Sequence, residues 1–395
     1  MMLINNSSYH YVFLSLIVSC FIFSPFFLFL LCVLNFLFLT NLLSFNFLRY
    51  IFIFLTLWSG LVIVGSRLYS QELQYDLSIY HYVFESLRSG QIDYITYFGG
   101  GFEVGWPLIY YFLGLFFDLS PIHLALVNTL LAILLIIIWI EKKIKPNISS
   151  KEIGLMYFLF FIFLNFIVLG FLERQALTLG ILLFALTAKN NRNLTFFIIL
   201  ATFFHLSSIL IGLIIYFSRK ITLNKINILL IFVFIVFLRL FFSFILLSFL
   251  SFFSFFDPIV HKLNFFKDAD FQISTLRYTI LFAAILIVLY IHQCNDKFKY
   301  IYNYAVLSAI FIISFVGVPL FADRIFMIGM IIYGLLYYLF FYKKYPIVSL
   351  FFALIYFIIS ILERANIIGG LADGDYYWAR FEYLGYDLFY YLGEI

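Results

Sequence analysis

Three arginines of this chain stand in the same setting. Arg174 (in FLERQALTLGILLFAL), Arg277 and Arg324 each follow a polar segment and open a long apolar run. If those runs are helices, each guanidinium sits beside a helix N-terminus, whose unpaired N–H groups and positive dipole end attract anions. A planar guanidinium holds two phosphate oxygens at once, so the chemistry this suggests is binding of a phosphate or diphosphate. One arginine in such a place reads as snorkelling to headgroups or pairing with a neighbouring acid. Three in one role favour a ligand. Glu173 and Asp323 stand directly before two of them, and Arg67 ends an earlier apolar run, so these three join the candidates.

A second set of residues could move protons. Asp76 has Tyr80 one helical turn on, within SRLYSQELQYDLSIYHYVFESLRSGQIDYITYFGGGFEVGWPLI. Glu103 follows Gly99-Gly100-Gly101, a turn able to deliver a carboxylate near a membrane surface. The spacing of these glycines is not that of a phosphate-binding loop. His205 lies in ILATFFHLSSILIG, read as the middle of an apolar helix over 193–217. An ionisable group at that depth is costly and faces a cavity or a partner, and Ser208 is a nearby partner that would keep it neutral. Asp76, Glu103 and His205 are thus candidate general bases. His261 and the pair Asp268/Asp270 precede Arg277. One Asp-x-Asp pair does not define a metal site, zinc-ligand spacing is absent, and neither a metal nor a cofactor is expected.

These residues need elements to hold them, and composition says which. The chain has 395 residues, 65% hydrophobic and 11% charged, with a net charge of +4. A soluble fold cannot bury that much apolar surface, and continuous apolar runs such as Leu130–Ile140 exclude a membrane barrel. The expectation is an all-α, polytopic transmembrane bundle of about 11–13 spans in a single domain. Spans fall near 48–66, 121–140, 153–171, 174–188, 193–217, 277–294, 299–319, 324–342 and 346–362, with one or two more in 9–45. Residues 106–119 are too short to cross and read as a re-entrant or interfacial segment. Cys20, Cys32 and Cys294 lie in or beside apolar segments and read as small core residues.

Lysine-rich turns orient the path. Lys142, Lys143, Lys145 and Lys151, then Lys189 with Arg192, Lys297 with Lys299, and Lys343 with Lys344 mark the cytoplasmic side. The outer side then receives the loop 67–103 with its amphipathic helix, the loop 257–277 and the tail 363–395. Two requirements follow. The stretch 226–256 must cross an even number of times, and a single span over 193–217 leaves Arg219, Lys220 and Lys225 outside, against the rule.

The pieces just quoted resemble the EpsG family, the Wzy-type polymerases of bacterial exopolysaccharide and O-antigen. They are the span ending at Arg67 followed by Asp76 and Tyr80, Phe102-Glu103-x-Gly105, Arg174 opening an alanine- and leucine-rich helix, Phe204-His205, and Asp323-Arg324. The family's Gly-x-Asp is replaced here by Gln-Tyr before Asp76. The resemblance implies an enzyme of the bacterial cytoplasmic membrane that joins oligosaccharide units carried on undecaprenyl diphosphate. Its partners would be that lipid-linked glycan, membrane lipid, a chain-length regulator and a flippase, with no nucleic acid. Two other readings compete. A C-type glycosyltransferase using a lipid-phosphate donor also places an acid in its first outer loop. A lipid-linked oligosaccharide flippase needs cations along a central cavity, whereas here they gather near one interface.

Overall fold

The computed structural model describes residues 25–39, 43, 45–65, 76–164, 166–171, 173–221, 223, 225–241, 298–314, 328–329 and 331–364. Every regular element among them is helical. The chain divides into two compact units, one formed by residues 1–82, 117–176 and 345–395, the other by 83–116 and 177–344.

In the first unit, α1 (Pro25–Phe38) packs on α2 (Asn46–Gly65) and on α6 (Ile153–Phe163). α2 also packs on α5 (Pro121–Trp139) and on the short α7 (Phe166–Phe171). α1 begins at a proline, whose missing N–H costs nothing in the first turn. Ser120 caps α5 by accepting from the His123 amide, with Pro121 as its first residue. The core is aromatic: Phe36 stacks on Phe161 at 5.4 Å, and Phe29 meets Phe166 edge-on at 5.7 Å. Gly60 admits the Phe166 ring, which a Cβ there would meet at 2.3 Å. α14 (Pro346–Arg364) packs on α6, with Phe163 and Tyr356 stacked at 4.6 Å. α7 leads to α8 (Glu173–Leu186).

An ion pair between buried Arg49 and half-buried Glu141 fastens one end of this unit. α5 runs on through a π turn, Ile140–Ile144, that carries Glu141. Arg49, in the first turn of α2, is fully buried and donates to Glu141 Oε1 at 2.8 Å and Oε2 at 3.0 Å. Nη1 donates to the Leu43 carbonyl, and Nη2 also donates to Asn46 Oδ1. Glu141 accepts further from Lys145 Nζ at 2.8 Å and Tyr157 OH at 2.7 Å. The bidentate fork and the added donors replace the water both ions lose. Glu141 is a partner for Arg49 that a single apolar-run pattern does not disclose.

The second unit contains most of α3 (Asp76–Arg88), two short turns at Ile92–Thr96 and Phe98–Gly101, and α4 (Gly105–Gly114). α9 (Asn191–Phe204) packs on α4 and on α10 (Ser208–Lys220). α10 and α11 (Lys225–Leu240) pack on α12 (Lys299–Ser314), and α13 (Tyr333–Leu336) continues through a π turn, Tyr337–Tyr342. α3 forms where the amphipathic helix was expected, but its buried face is Leu77, Tyr80, Val83, Phe84 and Leu87, with Ile79 half-buried. It is a packed helix, with Phe84 edge-on to Tyr110 at 6.2 Å. α4 has 10 residues, about 15 Å of helix, too short to cross a bilayer. Its exposed Leu108 and Phe112, with Leu115 and Phe116 after it, suit an interfacial segment.

Two expected spans are interrupted. The run 153–171 breaks at Leu164, whose ψ of 115° leaves the helical range. The run 193–217 breaks at His205, with φ −159° and ψ 125°, so it is two helices. Among the described residues one helix, Pro121–Asn147, is by itself long and apolar enough to cross a membrane, and Asn46–Val62, Arg174–Leu186, Ile226–Leu240, Lys299–Ser314 and Pro346–Ile358 are shorter apolar helices.

The Arg49–Glu141 pair yields a stability prediction. Removing the partner of a fully buried arginine costs about 3–5 kcal/mol, whereas a partly exposed lysine such as Lys145 contributes about 1 kcal/mol or less. Glu141→Gln should therefore lower the unfolding midpoint of the detergent-solubilised protein far more than Lys145→Ala. Equal midpoints for the two variants would show that the pair does not hold the unit.

Candidate functional site

The break at His205 is where proton-transfer groups meet. α9 stops after Phe204, leaving carbonyls without helical partners. The Ser208 hydroxyl donates to the Ala201 carbonyl at 3.1 Å and also to the His205 carbonyl. Ser208 therefore serves the backbone of the break and not the imidazole, as had been expected. The imidazole turns to Glu103: His205 Nδ1 lies 2.8 Å from Glu103 Oε1. The same oxygen accepts from the Leu206 amide at 2.9 Å, just before α10 begins. A carboxylate thus closes the N-terminal side of a helix, where the dipole favours negative charge. Glu103 is 1% exposed and His205 7%, so this contact has replaced water for both.

The glycines explain how Glu103 arrives there. Gly99, Gly100 and Gly101 have φ of 58°, 63° and 93°, in the left-handed region that other residues enter at a cost. The chain coils back on itself, and the Gly99 position lies against the glutamate side chain: a Cβ there would stand 2.5 Å from Glu103 Cγ. Beyond Glu103, a Cβ on Gly105 would stand 2.7 Å from the Phe204 ring, so only glycine lets α4 approach the end of α9. Trp106 then sits edge-on to Phe204 at 6.0 Å. The GGGFEVGW sequence is thus a fitted turn, and Glu103 and His205 are held by neighbours on both sides. Trp106 Nε1 is buried with no hydrogen-bond partner among the described residues. An orphan donor of this kind costs about 1–3 kcal/mol and suits an acceptor brought by a ligand.

A second pair lies within the first unit. Arg174 Nε donates to the Tyr80 hydroxyl at 3.0 Å, and the guanidinium carbon stands 5.3 Å from the centre of the Tyr80 ring. Arg174 is the second residue of α8, so it does sit at a helix N-terminus. Tyr80 is 2% exposed and fixes the guanidinium by its hydroxyl and its ring face.

The other candidates are placed less fully. Asp76 and Glu173 are the first residues of α3 and α8, with side chains outside the described set. Arg67, His261, Arg277, Asp323 and Arg324 lie outside the described residues, as do Cys20, Cys294, the loop 257–277 and the tail beyond 364. Among the described residues no three of His, Cys, Asp or Glu gather as metal ligands.

A profile of the EpsG family matches residues 50–369. The chain belongs to the EpsG family. Membership gives it a role in polysaccharide polymerisation in general terms. No curated protein and no solved structure matches the chain. The match spans Tyr80, Glu103, Arg174 and His205, so both pairs fall inside the region that makes this an EpsG protein.

The turn can be tested apart from any activity. Gly90 and Gly99 both have positive φ, but nothing lies within 4 Å of a Cβ at Gly90, whereas one at Gly99 meets Glu103. Alanine at either costs about 1–2 kcal/mol of backbone energy. Gly99→Ala should lower the unfolding midpoint well beyond Gly90→Ala, the excess reporting displacement of Glu103. Equal losses would mean that Glu103 is not held by the turn.

Proposed function

We propose that this EpsG protein polymerises oligosaccharide units carried on undecaprenyl diphosphate, at the outer face of the bacterial cytoplasmic membrane, as a multi-pass helical bundle. The observation that carries the reading is the buried contact between Glu103 and His205. A carboxylate on one ring nitrogen orients the imidazole and supports its protonation, which is how a histidine is made a general base.

The reaction follows from that role. The hydroxyl of one lipid-linked unit attacks the anomeric carbon of the growing chain, and its proton passes to His205. The bond from that carbon to the diphosphate breaks, and undecaprenyl diphosphate leaves with the electron pair. Glu103 balances the imidazolium that forms. Arg174, aimed by Tyr80, is a candidate for holding diphosphate oxygens, as are Arg277 and Arg324. Asp76 remains a candidate for acceptor binding or base catalysis. The membrane placement is supported by the apolar helices and by lysines confined to a few turns.

The test uses cells in which the gene is deleted and replaced by variants. Deletion should leave single lipid-linked units displayed on the outer leaflet. Units held on the inner leaflet would instead mark a flippase. His205→Ala and Glu103→Gln should reduce chain growth by about 100-fold or more, the ordinary worth of general base catalysis, while the protein stays in the membrane at normal amounts. Polymer of normal length and yield from both variants would overturn the assignment. Arg174→Ala should also stop chain growth, and Arg174→Lys should restore it only in part, because lysine lacks the fork.

A further inference from the structure

The break at His205 also bears on how the chain crosses the membrane. α9 and α10 have 14 and 13 residues, about 20 Å each. They pack on one another, and a Cβ on Gly212 would stand 2.7 Å from Ile198. Residues 198 and 212 lie equally far in sequence from His205, so the two helices are antiparallel legs with His205 at the apex. The far ends of both legs therefore lie together. One carries Lys189 and Arg192, and the other Arg219 and Lys220.

α12 fixes the same end independently. Asn303, in its first two turns, donates to the carbonyls of Ser218 at 2.7 Å and Ile221 at 3.1 Å, closing the C-terminus of α10. The Arg219 guanidinium lies 5.2 Å from the centre of the Tyr300 ring. Lys299 begins α12, and Tyr302 meets Phe340 at 5.8 Å, just before Lys343 and Lys344. Lys189, Arg192, Arg219, Lys220, Lys299, Lys343 and Lys344 thus gather at one end of this unit. No aspartate or glutamate occurs between 189 and 225.

We propose that α9 and α10 form a re-entrant hairpin that enters from the cytoplasmic face and returns to it, carrying His205 on its apex to meet Glu103, which arrives from the outer side. Legs of about 20 Å do not cross a hydrocarbon core of about 30 Å. Irregular backbone at that depth must find partners inside the protein, and the Glu103 carboxylate supplies one for the Leu206 amide. The proton-transfer pair then lies below the outer surface, with the turn 89–103 above it. Arg219, Lys220 and Lys225 move to the cytoplasmic side, and 226–256 needs to cross only once. This rests on the membrane placement proposed above, but not on the polymerase activity.

Single-cysteine variants of the full chain decide it, with Cys20, Cys32 and Cys294 replaced by alanine. Asn191→Cys, Lys220→Cys and Gln91→Cys all lie at exposed positions. With a membrane-impermeant maleimide, Gln91→Cys should label in intact cells, whereas Asn191→Cys and Lys220→Cys should label only after permeabilisation. Should Lys220→Cys fail to accumulate, Ile221→Cys replaces it. Labels for positions 191 and 220 on opposite sides would overturn the hairpin. Both on the outer side would overturn the orientation. Polymer yield measured on the same strains separates either failure from failure of the functional reading.

Discussion

A carboxylate taken out of water must be met by donors that replace water, and in this protein that requirement is met at the cost of regular helix. Glu103 is met by an imidazole and by a backbone amide that is free to donate only because the helix stops at His205. An unbroken helix over 193–217 would have spent the Leu206 N–H internally. The left-handed glycines before Glu103 and the close approach at Gly105 answer the same demand from the 99–105 segment, since they bring the acid to the break. Loss of any one element leaves a buried group without its partner, a penalty of about 1–3 kcal/mol, and more for a charge. The break, the glycine turn and the acid are therefore one feature.

Among the described residues, Glu103 and Glu141 show how the partner decides whether an acid suits chemistry or structure. Glu141 is held by two cations and a phenol, with Arg49 gripping both oxygens. Neither arginine nor lysine releases a proton readily near neutral pH, so that cluster has fixed charge and serves to tie α2, α5 and α6 together. Glu103 is paired with histidine, the side chain whose proton exchanges in the physiological range. Fixed charge suits Glu141 to a clamp, whereas the histidine partner makes Glu103 a candidate for proton transfer.

Much of this could be read in the sequence, and the remainder was hidden for definite reasons. Helix positions such as 46–65 and 121–139 followed from apolar run length, and the short segment after Trp106 from its length alone. His205 stood out as an ionisable residue in an apolar run, Glu103 as the acid after a glycine turn, Tyr80 as one turn from Asp76, and Arg174 as one of three arginines in the same setting. Their pairings did not, because Glu103 and His205 are 102 residues apart and no periodicity spans that distance. The break at His205 was masked by uniformly apolar flanks. Its local signal was Ser207-Ser208, hydroxyls able to take up freed carbonyls, followed by Gly212 where two helices could touch. Glu141 escaped notice because it lies among lysines, where an acid looks like ordinary surface charge compensation.

The charge pattern favours the proposed hairpin over a single span. A single span over 193–217 obliges three basic residues to lie on the outer side and obliges 226–256 to cross twice or not at all. Neither suits the rule that cations stay on the cytoplasmic side or the length of that stretch. The antiparallel contact of Ile198 with Gly212, and the bonds from Asn303 to the end of α10, remove both difficulties at once without moving any other segment. An imidazole at mid-span also ceases to be an anomaly. In the proposed hairpin it is the tip, and the short legs are set by the depth at which Glu103 can reach it.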